Sequence, residues 1–190
     1  MTEFSNYMAN NISLFDGLDG VDFEKIANAC SWQRYAKNTQ IMNKDDSTSD
    51  IFFVVEGAVS ARSFSPDGKE VNYIDIPQGE IFGEFSAIDG KPRSATIETI
   101  ENSLLARMTS SQFRLMMMEQ PVLGLKISEL LVQKIRDLTQ RVFEFGTLNV
   151  RERLIRELVR MCDSRIQTDN TCRIDPSPTH YDIAIRIATH

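Results

Sequence analysis

Cysteine, histidine and long apolar runs are scarce in this chain of 190 residues, and each scarcity excludes something. The three cysteines, Cys30, Cys162 and Cys172, are odd in number and widely spaced. They match neither a disulfide framework nor a zinc or iron–sulfur cluster, and the expectation is three structural thiols. Only two histidines occur, His180 and His190, both near the C-terminal end. No run approaches the ~18 apolar residues that span a bilayer. The first residues, Met1 to Asn6, lack the basic and apolar regions of a signal peptide, so the cytoplasm is the default location, with no membrane partner. No nucleophile–base constellation stands out, and the chain reads as a protein that is not an enzyme.

What remains is ordinary for a globular protein: 42% hydrophobic and 25% charged residues, in a length that holds one domain plus a smaller one. The net charge of −6 is unevenly spread. Residues 1–145 carry −7, whereas residues 146–190 carry +1, with seven arginines and no lysine. Such a segment suits a phosphate-facing surface, and equally a solvated helix face with glutamate partners.

Helical spacing over Val21 to Cys30 gives way, between Trp32 and Met108, to short β-rich runs. Ile51 to Val55 is an apolar strand closed by Glu56-Gly57. Ala58 to Phe64, a turn at Ser65-Pro66-Asp67-Gly68, Glu70 to Ile76, Ile97 to Thr99 and Leu104 to Met108 complete the set. Many short strands so spaced predict a sandwich or jelly roll. Cupin enzymes use a similar roll with histidine-held metal, but both histidines here lie outside the β region. A long helix is predicted from Pro121 to Phe145, with Pro121 in its first turn. Leu131, Ile135, Leu138, Val142 and Phe145 step by 4, 3, 4 and 3, the seam of a two-stranded coiled coil. Gly146 should interrupt that helix. Asn149 then caps a helix from Val150 to Cys162 whose buried face is Leu154, Ile155, Leu158, Val159 and Cys162. A hairpin over Ser164 to Ile174 turns at Asp169-Asn170, and Thr179 with Asp182 forms a capping box for a last helix.

Residues 82–96, Phe-Gly-Glu-Phe-Ser-Ala-Ile-Asp-Gly-Lys-Pro-Arg-Ser-Ala-Thr, carry the most specific signal. Phe-Gly-Glu, a small residue at Ser86 and Pro-Arg-Ser-Ala-Thr are met without a gap, with Glu84 and Arg93 nine positions apart. This layout resembles the phosphate-binding cassette of cyclic-nucleotide-binding domains. The resemblance implies a ligand site of Gly83, Glu84, Phe85, Ser86, Arg93, Ser94 and Ala95. The chemistry is coherent. Arginine offers a phosphate two parallel donors, where lysine is only a point charge. Glu84 can accept from a ribose 2′-hydroxyl. Gly83 to Ser86 can form a short helical turn whose N–H groups face an anion, with Gly83 lacking a Cβ that would obstruct close approach.

Roll, cassette, long helix, short helix, hairpin and capped helix follow in the order of the Crp/Fnr (catabolite activator and fumarate-nitrate regulator) transcription factors, which the chain resembles over nearly its whole length. The fold class implied is α+β: a β jelly roll over 1–120, a dimerisation helix over 121–147, and a winged helix-turn-helix over 148–190. Thr-x-x-Asp-Ile-Ala at Thr179 to Ala184 would open that last motif, truncated before its recognition helix at Thr189-His190. The 190-residue chain is therefore expected to bind operator DNA poorly or not at all. The resemblance further implies cyclic AMP as allosteric ligand, with cyclic GMP as the alternative, and no metal. It implies a homodimer through residues 131–145, with operator DNA and RNA polymerase as partners of the full-length protein. Of a Thr-Ser pair that contacts the base in that family, only Thr139 remains, beside Leu138.

Overall fold

Ile51 to Val55 are five consecutive apolar residues, all buried, because their strand is covered on both faces. The computed structural model describes residues 3–16, 22–64, 70–163, 171–172, 174 and 177–189. Its strands are β1 (Ser31–Tyr35), β2 (Gln40–Met42), β3 (Ile51–Glu56), β4 (Ala58–Phe64), β5 (Glu70–Pro77), β6 (Ile81–Phe82), β7 (Thr96–Thr99) and β8 (Ser103–Met108). Two four-stranded sheets result, ordered β1-β8-β3-β6 and β2-β7-β4-β5, and their resolved pairings are antiparallel. Alternation along β3 sends Phe52 and Val54 into the layer between the sheets, with Met42, Val59, Ala61, Ile76, Phe82, Ile97 and Leu105. Ile51, Phe53 and Val55 face a second layer of helical side chains. Phe52 stacks on Phe82 in the first layer and Phe53 on Phe15 in the second, at centroid distances of 4.9 and 5.9 Å.

The helices of that second layer are α1 (Glu3–Asn11) and α2 (Phe23–Ala29), followed later in the chain by α3 (Glu84–Asp89), α4 (Ser110–Glu119) and α5 (Pro121–Thr147). Met8, Ile26, Phe113, Leu123 and Ile127 are their buried contributions. Asp22 accepts the Lys25 N–H to cap α2, and Thr109 with Gln112 forms a capping box on α4. Two further helices are α6 (Val150–Asp163) and α7 (His180–Arg186). The chain divides into two units, Met1–Ser63 with Tyr73–Leu131, and Phe64–Asn72 with Val132–His190.

The sandwich of two sheets with helices agrees with the sequence reading, as do the five strands named from it. Strands β1, β2 and β6 were not foreseen. The turn at 65–68 and most of the hairpin at 164–174 lie outside the described residues. In the C-terminal part, α6 and the capped α7 are described, which by themselves do not establish a winged helix-turn-helix.

Three expectations are corrected. Gly146 does not interrupt the long helix, which runs to Thr147; one glycine in an exposed turn costs only about 1 kcal/mol, too little to stop it. Of the predicted apolar face of α6, Leu154 and Cys162 are half-buried, but Ile155, Leu158 and Val159 are exposed, and the fully buried position is Glu157. The cysteines are not three thiols. Cys162 and Cys172 form a disulfide with Cα atoms 5.6 Å apart, brought together across a separation of ten residues.

Closing a ten-residue separation should contribute about 2–3 kcal/mol to the C-terminal unit. Calorimetric unfolding with and without reductant tests this, with the β-roll transition expected to stay in place. An unchanged C-terminal transition would contradict it. Burial pushes the Cys30 thiol up to about 12, so the native chain should resist alkylation at neutral pH.

Candidate functional site

Glycine at position 83 is dictated by backbone and by space. Its φ is +80°, in the left-handed region, and it caps the N-terminus of α3. A Cβ built there would lie 2.7 Å from Arg93 Nη1 and 2.8 Å from the Asp50 carbonyl oxygen. The missing side chain therefore makes room for the arginine, a reason nearer to hand than the ligand approach inferred from sequence. The α3 ladder begins with the Ala87 N–H donating to the Gly83 carbonyl at 3.2 Å. The N–H groups ahead of it belong to Glu84, Phe85 and Ser86. Gly90, with φ +70°, closes the helix, and the Asp89 carboxylate accepts the Lys91 N–H.

Arg93 is 2% exposed, so its guanidinium must find acceptors within the protein. Nε donates to Thr48 Oγ1 at 3.0 Å, Nη1 to the Gly83 carbonyl at 3.2 Å, and Nη2 to the Asp50 carbonyl at 2.8 Å. Its backbone is held as firmly: the Arg93 N–H donates to the Asp46 carbonyl, and the Asp45 N–H to the Arg93 carbonyl, both at 2.9 Å. Burial draws Arg93 below the ordinary arginine range, while the carboxylates of Asp50, Asp46 and Glu84 oppose that shift. The group nevertheless stays cationic at any working pH. Arg107 occupies the Asp50 carboxylate at 3.5 Å, so the two arginines use different oxygens of one residue.

Glu84 is 4% exposed and Ser86 is buried, both on α3 beside Gly83. Phe85 is exposed, as is Ser94, whereas Ala95 is half-buried and packs on the layer between the sheets. Gly83, Glu84, Ser86 and Arg93 are thus gathered in one unit, with Phe85 and Ser94 at its surface. Thr139 belongs to the other unit, is exposed, and donates its hydroxyl to the Ile135 carbonyl of its own helix. Sequence reasoning missed Thr48 and Asp50, which lie more than 40 residues from Arg93 and follow no recognisable pattern. Among the described residues, no group of three or more histidine, cysteine or acidic side chains is placed to hold a metal ion, and no helix is long and apolar enough to cross a membrane.

Comparison with known proteins agrees with this geometry. Residues 32–120 match the cyclic nucleotide-binding domain. The lysophospholipase NTE1 of Mycosarcoma maydis is 28% identical over 111 residues, 58% of this chain but only 6% of that protein. The cAMP-activated global transcriptional regulator CRP of Haemophilus influenzae is 25% identical over 134 residues, 70% of this chain and 59% of the relative. Among solved structures, the c-di-GMP responsive global regulator CLP of Xanthomonas campestris superposes with a TM-score of 0.75 at 18% identity, over 88% of this chain and 84% of that one. The resemblance to Crp-type regulators is borne out, with the nucleotide-binding domain as its most specific part.

Gly83→Ala should destabilise the β-roll by about 2 kcal/mol or more, from left-handed strain plus displacement of Arg93. Urea unfolding of parent and variant measures it. A difference under about 0.5 kcal/mol would show that the arginine seat tolerates a Cβ.

Proposed function

We propose that this chain, carrying a cyclic nucleotide-binding domain, is the sensing part of a DNA-binding transcription regulator that responds to a cyclic nucleotide. The buried, carbonyl-braced guanidinium of Arg93 beside the α3 N-terminus carries this reading. Each terminal nitrogen carries a second N–H besides its bond to Gly83 or Asp50, and a guanidinium fork of this kind suits two oxygens of a phosphodiester. Glu84 then accepts from the ribose 2′-hydroxyl, and Phe85, Ser86, Ser94 and Ala95 complete the cassette. Thr139 is the contact to the base. Cyclic AMP is the first choice of ligand, since a CRP relative is cAMP-activated. Cyclic GMP is the alternative, and the fold likeness to a c-di-GMP responsive regulator makes that dinucleotide a third arm of the test.

The working division is a β-roll over 1–120, a dimerisation helix over 121–147, and a helix-turn-helix part from 148. Ile135, Leu138, Val142 and Phe145 are exposed along α5, which favours a second copy as their cover and a homodimer through 131–145. Ligand bound at the cassette shifts that helix pair, and the C-terminal units reorient on operator DNA in the cytoplasm. About 2–3 kcal/mol of differential affinity is enough to bias such a pair of states. The second reading is a sensor module that acts on a protein partner without DNA. It is favoured by the match to a lysophospholipase, whose aligned portion is 6% of its length.

Calorimetric titration with cyclic AMP, cyclic GMP and c-di-GMP tests the proposal. Arg93→Ala and Glu84→Ala are each expected to weaken binding of the preferred nucleotide at least tenfold, the loss of one hydrogen bond to a charged group. Parent-like binding by both variants would refute the cassette reading.

A further inference from the structure

The C-terminal unit contains a charged cluster that nucleotide binding does not use. At its centre is Glu157 on α6, 2% exposed, with its two oxygens divided among three helices. Oε1 faces Arg186 Nη1 of α7 at 3.6 Å. Oε2 accepts from Arg160 Nη1 of α6 at 2.6 Å and faces Arg141 Nη2 of α5 at 3.7 Å. Arg160 also pairs closely with Glu144, a second buried carboxylate on α5. Burial pushes Glu144 up, but its bonds from Arg160 and Gln140 outweigh this and hold it below the usual carboxylate range. Among the described residues, Glu144 and Glu157 face three arginines, and Glu157 faces both Arg141 of α5 and Arg186 of α7.

The placement contradicts what the helix would choose for stability alone. The hydrophobic residues Ile155, Leu158 and Val159 are exposed while an anion takes the buried position. A buried ion pair contributes little net stability over an apolar contact, but a carboxylate faced at 3.6 and 3.7 Å by arginines of two other helices is costly to draw away from them. An apolar interface can slide; a carboxylate held by arginines from separate helices keeps one arrangement. A weaker tie accompanies it, the Arg153 Nη1 donating to the Ala188 carbonyl at 3.5 Å.

We propose that Glu157 is a positioning residue that clamps α7 to the end of α5, so that movement of α5 is passed to α7 as a rigid displacement. The transmission rests on the reading above, in which ligand acts through the long helix; the clamp itself does not. A rigid-body relay needs an element that follows its neighbour rather than one that melts, and this cluster supplies the attachment.

The test uses the whole 190-residue chain with Arg186→Met, which removes the α7 partner of Glu157, and Arg186→Lys, which keeps its charge. Glu157→Gln is the direct variant, and the Arg186 pair decides the matter if it fails to fold. Hydrogen exchange at the amides of residues 183–187 is followed without ligand and with saturating cyclic AMP, and affinity is measured by calorimetry. Arg186→Met should exchange at least tenfold faster at these amides, keep its cyclic AMP affinity within twofold, and lose any ligand-dependent difference there. Arg186→Lys should restore parent behaviour. Exchange within twofold of the parent in Arg186→Met would overturn the clamp. Faster exchange with the ligand-dependent difference retained, or a parent that binds ligand with no difference at α7, would overturn the transmission. A parent that binds no cyclic AMP refutes that ligand choice, and the ligand-free exchange still decides the clamp.

Discussion

The cassette depends on a buried cation that has to be satisfied by neutral oxygens. Arg93 cannot shed its proton, and at 2% exposure water cannot solvate it. Thr48 and Asp50, on the loop before β3, and Gly83, at the start of α3, supply the acceptors. The loop before β3, the start of α3 and the entry to β7 are thereby held at one point. Gly83 follows from this, because a Cβ would occupy the arginine's seat. On the proposed function the same bracing suits the site to an anion, since a preset guanidinium loses little freedom when a phosphate arrives.

Local signals in the sequence foretold local structure well. The Thr179 and Asp182 capping box was readable because both partners lie within one helical turn. The strand at Ile51 to Val55 was readable from composition, although only the structure shows why it does not alternate. Short edge segments were harder. β6 has two residues and β2 has three, too few to display a period.

What escaped the sequence was set by distant contacts. Thr48 and Asp50 brace Arg93 from more than 40 positions away, with nothing local to mark them. Glu157 looked like a solvated glutamate on an arginine-rich face, yet arginines from α5 and α7 converge on it. On the same helix Ile155, Leu158 and Val159, expected at the buried face, are exposed. Cys162 and Cys172 lacked any framework spacing, and only the return of the chain after α6 pairs them. The segment 82–96 stood out because its residues are near one another in sequence, and Gly83, Glu84, Ser86 and Arg93 lie in one unit.

The central claim is that Arg93 acts through its fork of donors and not merely through its charge. Arg93→Lys separates the two, because lysine keeps the cation and loses the planar pair. Calorimetric titration of that variant with the nucleotide the parent binds is the most direct measurement. Loss of a charge-assisted hydrogen bond, ~1.5–3 kcal/mol, predicts binding about ten- to a hundredfold weaker. Affinity equal to the parent's would contradict the account, leaving Arg93 a brace for the cassette rather than its anion-binding group.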